Sequence, residues 1–124
     1  MVIVHHHLIY QAKVGNDELG ADSEKMLGRF LYDLLDEVKM KCLIPVQLKF
    51  SHQKAWTGII GIITSHIAFH FWTVVRYVRL DIYSCKPFDQ QKTVHFLNDF
   101  WGASDVKALF IDRAVGMKFK IEEL

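Results

Sequence analysis

In "MVIVHHHLIYQ" aliphatic and β-branched residues alternate imperfectly with His5, His6 and His7, the pattern of a strand over residues 2–10. After the polar connection "GNDELGADS", the residues Met26, Leu27, Phe30, Leu31, Leu34, Leu35 and Val38 recur at helical spacing. With Asp22 or Ser23 as N-cap, this stripe predicts a helix over about residues 23–41. "LIPVQLKF", residues 43–50, predicts a strand, and Pro45 inside it implies an edge position or a strand start. The unbroken apolar run from Trp56 to Ile63 reads as a strand covered on both faces.

Two more strands are predicted over 66–72 and about 77–85, joined by "TVVR", which contains no ordinary turn residue. Pro87 and Asp89 open a second helix with Val94, Leu97, Phe100 and Trp101 as its apolar stripe and Gly102 as its stop. "DVKALFIDR" supplies the last strand. The order strand, helix, several strands, helix, strand predicts an α/β (α+β) two-layer sandwich, a mostly antiparallel sheet with two helices on one face.

With 124 residues, 51% of them apolar and only two prolines, the chain is expected to fold as one domain over 1–124. A net charge of +1, from 15 basic and 14 acidic residues, leaves no electrostatic footprint for nucleic acid or an anionic membrane. The apolar stretch from Gly58 to Trp72 is shorter than the roughly 20 residues of a membrane span and is interrupted by Thr64, Ser65, His66 and His70. The amino-terminal stretch has no basic start or small-residue cleavage site of a secretory leader, so Cys42 and Cys85 read as free thiols in a reducing cytoplasm.

Strand parity then separates the chemistry. In 66–72 the odd positions Ile67, Phe69 and Phe71 are apolar, whereas the even positions carry His66, Ala68, His70 and Trp72. The next strand repeats the division, with Val78, Leu80 and Ile82 against Tyr77, Arg79, Asp81, Tyr83 and Cys85. A sheet face equipped in this way is a ligand site, a subunit interface, or both. Each histidine taken alone is more simply a satisfied core residue. His66 and His70 with His5 or His7 show no recognised metal-ligand spacing, and Ser65 lacks the glycines of a hydrolase nucleophile elbow.

Taken jointly, Thr57, Ser65-His66, His70, Trp72 and the "LDIYSC" that ends at Cys85 resemble the S-adenosylmethionine decarboxylase family in its short prokaryotic form. The resemblance implies a proenzyme that cuts itself between Thr64 and Ser65, leaving a pyruvoyl cofactor made from Ser65, with no metal required. Thr57 would steady the tetrahedral oxyanion, His70 would remove the serine α-proton, and Cys85 would protonate the product carbanion. The pyruvoyl carbonyl would take the substrate amine as a Schiff base and accept the electrons of decarboxylation. Phe50 and Trp72 would sandwich the adenine ring, with His66 and Arg76 as further substrate contacts. The implied partners are a small amino-acid substrate and a second copy of the chain, with residues of both copies in each site.

The family's usual Thr-Trp-Pro-Glu appears here as Phe71-Trp72-Thr73-Val74, and three departures from the family pattern bear most on function. Thr64 stands where a glutamate is usual, Lys86 follows Cys85 in place of glycine, and Val74 replaces the glutamate expected to grip the ribose hydroxyls. Two other functions therefore stand beside S-adenosylmethionine decarboxylation. One is a pyruvoyl decarboxylase of arginine or ornithine, with Arg76 and Arg79 placed to meet a carboxylate. The other is an unprocessed family member that acts as a binding or regulatory partner.

Overall fold

The computed structural model describes residues 4–113 and 120–124. The strands are β1 (His6–Val14), β2 (Cys42–Phe50), β3 (Ala55–Ile62), β4 (Ser65–Trp72), β5 (Tyr77–Ser84), β6 (Ala103–Asp112) and β7 (Lys120–Glu123). The helices are α1 (Glu24–Glu37) and α2 (Gln90–Trp101). Among the described residues the strands form one sheet in the order β2-β3-β4-β5-β1-β6-β7, and every pairing is antiparallel. Both helices lie on one face, as the α+β sandwich reading expects.

The core is built from the parity noted above. Leu8, Tyr10 and Ala12 of β1, Ile60 and Ile62 of β3, Ile67, Phe69 and Phe71 of β4, and Val78, Leu80 and Ile82 of β5 are buried on the helix side. They meet Leu27, Phe30, Leu31 and Leu34 of α1 and Leu97 and Trp101 of α2. Trp101 is fully buried, with its ring 5.2 to 5.6 Å from those of Phe30, Phe69 and Phe71 in edge-on geometry.

Several boundaries differ from the sequence expectation. The first strand begins at His6 and runs to Val14, because Ala12 and Val14 go inward while Lys13 stays exposed; Val2 and Ile3 lie outside the described residues. Helix α1 stops at Glu37 although its apolar stripe continues. Lys39 takes φ 58, its N–H bonds to the Asp36 carbonyl, and Met40 N–H bonds to that of Leu35. This is a Schellman closure with lysine where glycine is usual, and it turns Met40 back into the core.

Pro45 does mark an edge: β2 is the outer strand, with register irregularities on both sides of Ile44. The apolar run of β3 is covered only by the helices, since Ile59 on the other face is 43% exposed. "TVVR" forms the β4–β5 turn, closed by Arg76 N–H to the Trp72 carbonyl with Arg76 at φ 58. In α2, the Asp89 carboxylate accepts the Lys92 N–H, and Gly102 at φ 56 ends the helix. Strand β7 was not expected, because "KIEE" is short, fully exposed and carries no alternation.

Candidate active site

Most of the residues singled out in the sequence fall into three groups, two on the helix-free face and one at the β3–β4 turn. In the first, Thr57 of β3 stands opposite His70 of β4, and Thr57 Oγ1 lies 3.0 Å from His70 Nδ1 in a shared hydrogen bond. Beside it the rings of His70 and Trp72 are 5.8 Å apart, and those of Trp72 and Tyr77 are 6.0 Å apart. Arg79, the register partner of His70, holds its guanidinium 5.9 Å from the Tyr77 ring. A depression of about 310 Å³ lies alongside, with Ile9, Gln11, Ala68, His70, Arg79 and Asp81 in its lining.

The second group surrounds the Thr64–Ser65 bond at the β3–β4 turn. The Ser65 hydroxyl donates to the Thr64 carbonyl, and the same oxygen accepts the Cys85 N–H at 3.2 Å. Ser65 Oγ is 3.8 Å from Cys85 Sγ. Thr64 Oγ1 is turned to the fully buried Ser84, with the two hydroxyl oxygens 3.0 Å apart.

In the third group only His66 had an assigned role in the sequence, as a substrate contact. Asp81 Oδ2 lies 3.0 Å from His7 Nε2 and 3.5 Å from His66 Nε2, so one carboxylate joins β1 to β4 across β5. The Tyr83 ring stacks on His66 at 5.9 Å and meets His7 edge-on at 5.8 Å, while its hydroxyl pairs with His5 Nδ1 at 2.7 Å. Strand parity put Asp81 and Tyr83 on this face, but only the β1–β5 register brings His5 and His7 to them. Among the described residues no group of three or more His, Cys, Asp or Glu is placed to hold a metal ion. No helix among them is long and apolar enough to cross a membrane.

Two sequence expectations are corrected by this geometry, and a third is narrowed to a site that takes residues from both copies. Phe50 is opposite Trp56, which is opposite Phe71, so all three point to the helix side, and Phe50 packs on Trp56 with ring centroids 5.0 Å apart. Within the chain, Phe50 and Trp72 lie on opposite faces of the sheet and form no sandwich. Arg76 also points away from the site: its guanidinium donates to the carbonyls of Leu19 and Asn16, both at 2.6 Å, and sits over the Phe71 ring. Finally, Ser65 and His70 are five residues apart in one strand, about 16 Å along its axis and on opposite sides of it. His70 does not reach the serine of its own chain.

On the helix side of the same sheet end, His6 stands opposite Asp112 and packs edge-on against Phe110 at 4.8 Å, with Nδ1 buried and unpartnered. Burial pushes the His6 pKa below 6.5, outweighing the Asp112 charge, which pushes it up. As pH falls below 6.5 the unfolded chain takes up a proton that the folded His6 still refuses. The stability tied to this histidine is therefore full above that pH and lost as pH falls through the lower folded-state value. We expect the thermal midpoint of the parent protein to fall more steeply with acidification over this range than that of His6→Phe; parallel curves would refute the assignment.

Among the described residues, a seven-stranded antiparallel sheet under two helices defines a recognised class of architecture. The fold is similar to the crystal structure of the adenosylmethionine decarboxylase from Aquifex aeolicus VF5, with a TM-score of 0.74. The match covers 95% of this chain and 97% of that one at 14% identity, a level at which the likeness concerns the fold alone. The profile of the S-adenosylmethionine decarboxylase family matches residues 6–114, and the chain belongs to this family of carboxy-lyases. No curated protein sequence matches the chain.

Proposed function

We propose that the chain is a self-processing, pyruvoyl-dependent decarboxylase that acts as a homodimer on S-adenosylmethionine for polyamine (spermidine) synthesis. The observation that carries this reading is the convergence at the Thr64–Ser65 bond: the Ser65 hydroxyl and the Cys85 N–H both address the Thr64 carbonyl. The hydroxyl adds to the carbonyl carbon, and the Cys85 N–H meets the oxygen on which negative charge develops. The carbon–nitrogen bond then breaks, the nitrogen takes the hydroxyl proton, and the chain continues through an ester. Removal of the residue 65 α-proton by the partner's His70 expels the Thr64 carboxylate, and water then releases ammonia as the pyruvoyl group forms. Thr57 orients the imidazole for that task through their 3.0 Å bond.

The site fits the group. Residue 65 stands beside the Cys85 thiol, which is positioned to return a proton to the substrate carbon, and Trp72 and Tyr77 offer ring faces to the adenine. When formed, the pyruvoyl carbonyl supplies the electron sink for loss of carbon dioxide. The homodimer is supported by the separation of Ser65 from His70 and by the exposed Ile9, Ile59 and Leu109 on the helix-free face. Two such faces stacked about 10 Å apart would bury these residues and complete each site from both copies.

One observation favours a second reading within the same chemistry. Val74 is 70% exposed at the β4–β5 turn and has no group to bind a ribose hydroxyl. Deleting such a partner weakens discrimination for a nucleoside and favours a smaller amino acid such as arginine or ornithine. Denaturing electrophoresis with intact-mass measurement tests the processing: fragments of 64 residues and of 124 − 64 = 60 residues are expected, the second blocked at its amino end. Carbon dioxide release from S-adenosylmethionine, arginine and ornithine then separates the substrates. An intact chain would leave the unprocessed binding partner as the function.

A further inference from the structure

Ser84 ends β5 opposite Ser65, and it is completely buried although it is polar. Its oxygen accepts the Lys86 N–H at 2.9 Å and lies 3.0 Å from Thr64 Oγ1, which in turn donates to Met40 Sδ at 3.6 Å. Thr64 and Ser84 therefore share a hydroxyl–hydroxyl hydrogen bond, anchored by the Lys86 N–H on one side and by Met40 Sδ on the other.

One hydroxyl thus ties together the two segments that must meet for self-cleavage. It holds residue 64 by its side chain and the 84–86 turn by its main chain. Between those anchors lies Cys85, whose N–H is 3.2 Å from the Thr64 oxygen and whose sulfur is 3.8 Å from Ser65 Oγ. Thr64 adopts this orientation because its hydroxyl has a buried partner; turned outward, it would release the carbonyl from a fixed direction.

We propose that Ser84 is a positioning residue for the self-cleavage, its hydroxyl holding the Thr64 carbonyl in line with the Ser65 hydroxyl and the Cys85 N–H. The proposal rests on the self-processing reading above. It concerns the step in which the Ser65 oxygen bonds to the Thr64 carbon, the peptide nitrogen leaves, and the hydroxyl proton moves to that nitrogen. A loss of alignment slows this step before any ester exists, whereas a defect in α-proton removal lets ester accumulate.

The test follows fragment formation over time in the full-length protein, with and without hydroxylamine, which cuts an accumulated ester and leaves the second fragment with a free serine. Ser84→Ala and the isosteric Thr64→Val are expected to slow cleavage by about 10- to 100-fold with no rescue by hydroxylamine. Thr64→Ser, which returns the hydroxyl without the methyl group, recovers cleavage. Thermal midpoints are recorded for all variants, and if Ser84→Ala does not fold then Thr64→Val decides. Cleavage of these variants at the parent's rate, or rapid hydroxylamine cutting of them, overturns the positioning role alone. A parent chain that never cleaves overturns the self-processing reading and this proposal with it.

Discussion

A His70→Ala chain expressed alone stays intact, a Ser65→Ala chain expressed alone stays intact, and the two expressed together yield fragments of the His70→Ala chain. This outcome follows from a separation of about 16 Å between positions 65 and 70 along β4. In the proposed homodimer each chain would offer its Ser65–Cys85 end to one site and its Thr57–His70 pair to the other. In a mixed dimer with two-fold symmetry, one site joins the intact serine of the first chain to the intact histidine of the second, and the other site lacks both. Random pairing at equal amounts places roughly half of the His70→Ala chains in such dimers, which sets the expected yield. Tagging the chains differently and weighing the fragments by mass spectrometry identifies which was cut. If the parent cleaves and the mixture does not, the two-chain site is wrong and another base must serve Ser65.

The helix-free face was legible because β-strand parity has no exceptions over a run such as Ser65–Trp72: once Ile67, Phe69 and Phe71 are core, His66, His70 and Trp72 must face the other way. The same rule would have separated Phe50 from Trp72, but it required the β2–β3 register, which is irregular around Pro45 and cannot be counted through from sequence. Spacing in sequence likewise joined Ser65 to His70, although a strand keeps residues five apart far from each other. Joint spacing identifies a family; it does not say which members of the set share a chain in the finished site.

Closures made by residues without special propensity were the least legible. Lys39 and Arg76 both take positive φ where glycine or asparagine would have announced a turn. The geometry there is imposed from outside, by the carbonyl partners of the Lys39 segment and by the two loop carbonyls on Arg76. The role of Ser84 had no signal at all, since a serine at a strand end is ordinary until its neighbours in space are known.

Arg76→Ala is expected to destabilise the fold by about 2–3 kcal/mol, through the loss of two charge-assisted hydrogen bonds. Its guanidinium caps the carbonyls of Asn16 and Leu19 at 2.6 Å, its own carbonyl accepts the Val14 N–H at 2.8 Å, and Leu19 beneath it is only 2% exposed. The side chain therefore fastens the connection between β1 and α1 to the β4–β5 turn. Arg76→Gly should cost less than Arg76→Ala by roughly 1 kcal/mol, because glycine relieves the left-handed backbone that alanine must keep. Lys25→Ala, exposed on α1, is expected to stay within about 0.5 kcal/mol of the parent. Urea unfolding of the three variants measures these differences directly. An Arg76→Ala protein as stable as the parent but with weakened substrate binding would return this arginine to the site from which the geometry removes it.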